Sequence, residues 1–139
     1  MAEQTQMADA HAVEATAHGK LEIHLLEGKF KYDHDTIGKM DPYIVMKHRD
    51  QEWHGAPCME GGKTPVWKDQ HHTFDVKYLG DDFKFRIMDK DTVSDDFVGE
   101  GTIKGTAMAI GGGVCEWFST HEHGKVTGEI KLKTVFHKA

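Results

Sequence analysis

The sequence predicts an all-β protein, an eight-stranded antiparallel β-sandwich, and three observations carry that prediction. From Lys20 onward apolar residues recur with a period of two rather than 3.6. Helical candidates are nearly absent. The apolar runs are short, and clusters of Gly, Pro, Asp and His separate them, as in chains that turn back every few residues.

Taken in order, Leu21, Ile23 and Leu25 alternate with Glu22 and His24 in the first run. Strand-like runs follow near 42–48 and 51–56. Phe74, Val76 and Tyr78 alternate with Asp75 and Lys77, and Phe83, Phe85 and Ile87 form the next run. Two further runs lie near 98–103 and 114–119, and Ile130 and Leu132 alternate with Glu129, Lys131 and Lys133 in the last. Each run is expected to bury one face and wet the other, which is how an antiparallel sheet covers a core.

The chain has 139 residues, 38% hydrophobic and 29% charged, which suits one globular domain with a real core. Residues 1–18 carry Glu3, Asp9 and Glu14, no Lys or Arg, and little apolar bulk, so they read as a disordered tail ahead of a domain at 19–139. The net charge is -6, and without the tail 17 basic residues face 20 acidic ones, leaving -3. Such a surface does not seek nucleic acid or anionic lipid unaided. No run approaches the roughly 20 apolar residues that span a bilayer, and the first residues lack the basic and apolar regions of a secretory signal. A cytoplasmic monomer is expected, with Cys58 and Cys115 as reduced thiols.

Residues 88–101 read MDKDTVSDDFVGEG, placing Asp89, Asp91, Asp95 and Asp96 together at the end of a strand. Carboxylates so crowded repel one another unless a cation sits among them. In a chain that reverses at every connection, the odd-numbered connections emerge at one pole. The first connection, with Asp33, Asp35 and Asp41, then meets the fifth, with the four later aspartates. All-oxygen ligation suits calcium, whereas zinc favours sulfur and imidazole. Asp89, Asp91 and Glu100 match some positions of an EF-hand loop, but Val93 and Ser94 replace a ligand and the glycine, and strands flank the segment. The GGKT at 61–64 runs straight into Pro65, where a phosphate-binding loop would start its helix. His71-His72 and His121-Glu122-His123 are read as solvated histidines, with the latter set in the seventh connection and open to protonation below pH ~6.5. No nucleophile-and-base arrangement appears, and an enzyme is not expected.

The runs DTIGKMDPYIV, KTPVWK and MDKDTVSDDFVGE, in that order, resemble the C2 domain, and the resemblance covers residues 19–139. It is nearest to the small stand-alone plant proteins of the elicitor-responsive and phloem-protein type. The resemblance implies a Greek-key sandwich that holds two or three calcium ions between loops at one end and docks on phospholipid. Carried over by position, the metal ligands are Asp35, Asp41, Asp89, Asp91 and Asp96. Ser94 and Asp95 are further ligands and Asp33 a weaker one. The later loop is one residue shorter than the family's, which leaves the choice between Asp95 and Asp96 open, and Thr64 stands where an Asn is usual.

Ile37 and Val93, apolar residues at loop tips, are expected to contact a membrane together with Lys39. MKHRDQEWHGAP offers Lys47 and Arg49 as a basic lipid or partner surface. The expected function is reversible, calcium-dependent binding at an anionic phospholipid surface, with calcium as an electrostatic switch. The alternative is a calcium-independent module for a protein or RNA partner.

Overall fold

The computed structural model describes residues 15–33 and 38–139. Eight strands form as the alternation predicts: β1 (Gly19–Phe30), β2 (Pro42–His48), β3 (Gln51–His54), β4 (Val66–Val76), β5 (Asp82–Asp89), β6 (Asp96–Lys104), β7 (Cys115–Glu122) and β8 (Lys125–Lys138). Their hydrogen-bonded order is β3-β2-β5-β6-β7-β8-β1-β4. Between β6 and β7 the pairing shrinks to Glu100 opposite His121. The molecule is therefore a sandwich of two four-stranded antiparallel sheets joined along one edge. At that join Gly99 lets the sheets close in, since a Cβ there would lie 2.4 Å from Thr127 Oγ1. Along the open edge Gln51 substitutes for a ladder: its amide donates to Asp75 O (2.6 Å) and accepts from Asp75 N (2.8 Å).

The inward residues of both sheets meet in a single core. Leu21, Ile23 and Phe74 face Ile44, Phe83 and Ile87, all of them without solvent exposure. Phe74 of β4 meets Phe83 of β5 edge-on, ring centres 5.3 Å apart at 83°, which ties one sheet to the other. Burying each such side chain contributes about 1.5–3 kcal/mol. His48 is buried as well, stacked on Phe83 at 4.0 Å with its Nδ1 3.1 Å from Asp82 O. The neighbours His71 and His72 point to opposite faces, as strand residues must. His71 lies against His24 outside, and His72 stacks inside on Trp53.

Four details differ from the sequence reading. β4 begins at Val66 and ends at Val76, so Tyr78 falls outside it and is 41% exposed. A helical turn, Gly105–Met108, and a 3-10 turn, Ile110–Gly112, sit in the sixth connection. His121 and Glu122 complete β7, and only His123 and Gly124, both with positive φ, make the turn into β8. Ala15–His18, expected in the tail, pack on the body: Leu79 N and Gly80 N donate to Ala17 O and Ala15 O, each at 3.0 Å. Residues 1–14 lie outside the described residues.

Candidate functional site

Alternate reversals send the connections 31–41, 55–65, 90–95 and 123–124 to one pole. The first three, loops 1, 3 and 5, are bound together there by backbone hydrogen bonds. Loop 3 holds both ends of loop 1, because Phe30 N donates to Lys63 O (2.7 Å) and Gly62 N donates to Met40 O (2.9 Å). The Pro-Val-Trp run explains itself at this point. Trp67, 6% exposed, donates its indole N–H to Pro42 O at 2.8 Å, which pins β4 to the start of β2. Loop 5 joins the same frame through Lys90 N, 3.1 Å from Asp41 O.

The predicted ligands fall into distinct environments. Asp89 is fully buried, flanked by Pro42 on one neighbouring strand and Asp96 on the other, and its Oδ1 accepts from Asp41 N at 2.8 Å. Asp41 Oδ1 accepts from Glu60 N at 2.5 Å. Asp91 is exposed and turned onto its own loop, with Oδ1 accepting from Thr92 N at 2.6 Å. Asp95 accepts the Tyr43 hydroxyl hydrogen bond at Oδ2 and the Asp91 amide at Oδ1, the latter at 3.0 Å, while Lys90 Nζ lies 3.8 Å away. The Asp91 amide, then the Tyr43 hydroxyl, hold the Asp95 carboxyl below its usual range. Partial burial, then the bond to Asp95, push the Tyr43 phenol up to about 12. Asp96 stands exposed at the head of β6. Asp33 and Ser94 are exposed; Asp35 and Ile37 lie outside the described residues.

Loops far apart in sequence are thus brought to one place, although the carboxylates of Asp41, Asp89, Asp91 and Asp95 each accept from protein donors. Among the described residues no three Asp, Glu, His or Cys side chains converge as a metal centre. Asp41, Asp89, Asp91, Asp95 and Asp96 nevertheless supply only hard carboxylate oxygens, a donor set that fits calcium. The pole also carries exposed apolar residues on three loops: Tyr32 (60%), Met59 (71%) and Val93 (94%). Sequence reading found Val93 and missed the other two, although Met59 shows the same signal, an apolar side chain within a turn. Lys39 is exposed at the end of loop 1, its stem near Gly62.

The C2 domain profile matches residues 19–120. The chain belongs to the C2 domain family. This C2 domain is 38% identical over 97 residues to elicitor-responsive protein 1 of Oryza sativa subsp. japonica, covering 65% of this chain and 61% of that one. It is 37% identical over 90 residues to 16 kDa phloem protein 1 of Arabidopsis thaliana, covering 61% and 58%. The aligned region therefore spans less than two thirds of each relative's length. The solved structure of another C2 domain-containing protein superposes with a TM-score of 0.73 at 29% identity, over 88% of this chain and 91% of that one.

The basic surface anticipated at Lys47 and Arg49 is differently composed. Arg49 lies in the turn after β2, at the opposite pole, with Nη2 2.5 Å and Nε 2.6 Å from Asp81 Oδ2. Lys47 is joined instead by Lys84, its direct partner on β5, and by Arg86 two residues on. The three line a shallow cavity of about 210 Å³ on the outer face of the first sheet. Cross-strand pairing alone brings Lys84 there, and nothing local in the sequence announces it. Among the described residues no helix is long and apolar enough to cross a membrane.

Proposed function

We propose that the pole formed by loops 1, 3 and 5 is a calcium-dependent docking site for anionic phospholipid. The observation that carries this reading is the tie between loops 1 and 5, Asp41 N to Asp89 Oδ1 at 2.8 Å, which sets the aspartates of both beneath the exposed Tyr32, Met59 and Val93. Asp41, Asp89, Asp91 and Asp96 are the ligands in this reading, with Asp35 from the part of loop 1 outside the described residues. Asp95 serves as their support, because both of its oxygens are already committed to Tyr43 and the Asp91 amide. Calcium, when bound, supplies positive charge that two or three ions would raise by four to six against the -3 of residues 19–139, and open coordination positions for lipid oxygens. The residues then do the rest: Val93 and Met59 enter the acyl boundary, Lys39 meets headgroups, and ion and lipid affinities raise one another by linkage. No step is catalytic, and the domain works as a reversible peripheral binder.

Sedimentation with phosphatidylserine vesicles tests this. Asp89→Asn with Asp91→Asn keeps the acceptor oxygens for Asp41 N and Thr92 N but removes two charges. Calcium-dependent sedimentation is expected to vanish while the melting transition persists, and undiminished binding by the double variant refutes the assignment.

A second reading has its own support. The pole's hydrogen bonds, Tyr43 to Asp95 and Glu60 N to Asp41, tie its loops together through the protein's own donors. A calcium-independent protein or RNA partner would use the Lys47, Lys84 and Arg86 face, and its binding would survive a chelator.

A further inference from the structure

We propose that the outer face of β7, β8 and β1, where Lys29 and Lys131 flank Trp117, is a second docking surface that takes the phosphate groups of anionic phospholipid without calcium. Lys131 lies directly across from Trp117, and Lys29 reaches over it from β1. Their Nζ atoms stand 5.9 and 4.4 Å from the indole centre. Neither lysine forms an ion pair among the described residues, whereas Lys20, Lys90 and Lys104 each have a carboxylate within 4 Å. Beside them Lys29 and Lys31 border a cavity of about 320 Å³ with Val126 and Glu129. Gly128 also lines it, and because a Cβ there would lie 2.2 Å from Lys29 O, only glycine lets β8 approach β1 this closely.

Charge complementarity points to an anionic occupant. Lys29, Lys31, Lys131 and Lys133 share this strip with Glu27 and Glu129, an excess of two positive charges (four against two) on a chain whose net charge is -6. The arrangement along the strands points to a membrane. Val126 (43%) and Tyr32 (60%) are exposed at the end of the strip that meets the pole, with the lysines behind them. Apolar tips ahead of long cationic stems, with an indole at headgroup depth, match the order of layers in a lipid interface. A single-stranded nucleic acid would need an open ring face for base stacking, and Lys29 covers that of Trp117. This inference shares the membrane partner with the reading above but not its metal.

The test uses the full chain with phosphatidylserine vesicles and, separately, phosphatidylcholine vesicles, at low salt with a chelator present. Wild type is expected to bind the former only. Lys29→Gln with Lys131→Gln should lower that binding about fivefold per lysine, roughly 25-fold together. Asp89→Asn with Asp91→Asn should retain it, so loss of the calcium site and loss of the strip are told apart. Trp117→Phe, compared with wild type, should remove most of the fluorescence change on vesicle addition, since Trp53 and Trp67 are each only 6% exposed. No wild-type binding in chelator, equal binding by the glutamine pair, or retention on single-stranded RNA in place of vesicles would each overturn the proposal.

Discussion

Tyr43→Phe isolates one bond at the pole, since it deletes a hydroxyl and leaves the ring in place. That hydroxyl donates to Asp95 Oδ2, and Asp95 Oδ1 in turn accepts the Asp91 amide, so the bond fixes loop 5 against β2. A hydrogen bond to a charged acceptor contributes about 1.5–3 kcal/mol when well covered. The Asp95 side chain is 20% exposed, and Lys90 and water compete for its oxygens, so about 1 kcal/mol is the appropriate figure here. For a domain of this size that corresponds to a fall in Tm of roughly 3–5 °C. Urea denaturation at neutral pH measures the difference directly.

The pH dependence carries the sign. Asp95 has its folded pKa lowered, so its contribution is complete above the ordinary carboxylate value of 3.8 and is lost as pH falls through the lower folded value. Tyr43 has its folded pKa raised to about 12, so its contribution holds below the ordinary 10.0 and is lost as pH rises through about 12. The stability gap between wild type and Tyr43→Phe is thus flat from pH 5 to 9 and closes at both extremes. A gap below about 0.3 kcal/mol at pH 7, or one that widens below pH 4, would refute this account of loop 5.

Two further outcomes are expected. Val93→Ala removes about two methylene equivalents from a side chain that is 94% exposed, so calcium-dependent vesicle partitioning should weaken about tenfold with stability unchanged, and Met59→Ala should weaken it similarly; partitioning equal to wild type would remove these tips from the membrane contact. Gly99→Ala drives a Cβ to 2.4 Å from Thr127 Oγ1 and 2.9 Å from Thr120 Cβ, against a buried Thr120–Thr127 hydrogen bond, so it should destabilise by about 1–3 kcal/mol in denaturant titration, whereas a neutral effect would mean that the sheets do not close so tightly there.

Much of the fold could be read from the alternation of residues because each strand has one dry and one wet face. Leu21, Ile23 and Leu25 report their strand directly. β4 is the instructive exception, since its stretch from Lys68 to Thr73 shows no apolar alternation. There His72 takes an inward position and does an aromatic residue's work, stacked on Trp53 and edge-on to Phe74. The convergence of loops 1 and 5 was legible for a topological reason, as strand parity fixes the pole at which each connection emerges. What each carboxylate does there was not legible. Asp95 and Asp96 are adjacent and chemically identical, and only the position of Tyr43 on another strand distinguishes them. The ion pair of Arg49 was not legible for the same reason, because its partner Asp81 comes from a loop 32 residues on.

The hydrogen bonds at the pole orient its carboxylates but do not cancel their charge. Glu60 N, Asp41 N, Thr92 N and Asp91 N are neutral donors, and Lys90, 3.8 Å from Asp95, is the one cation within ion-pair distance of these aspartates among the described residues. Position and charge are therefore separable at this site. Tyr43→Phe loosens position and keeps every charge, whereas Asp89→Asn with Asp91→Asn keeps the acceptors and removes charge. If calcium acts as a counter-charge to a prebuilt cradle, the second change abolishes the response and the first only weakens it. If instead the ion assembles the cradle, the two changes should be comparably damaging.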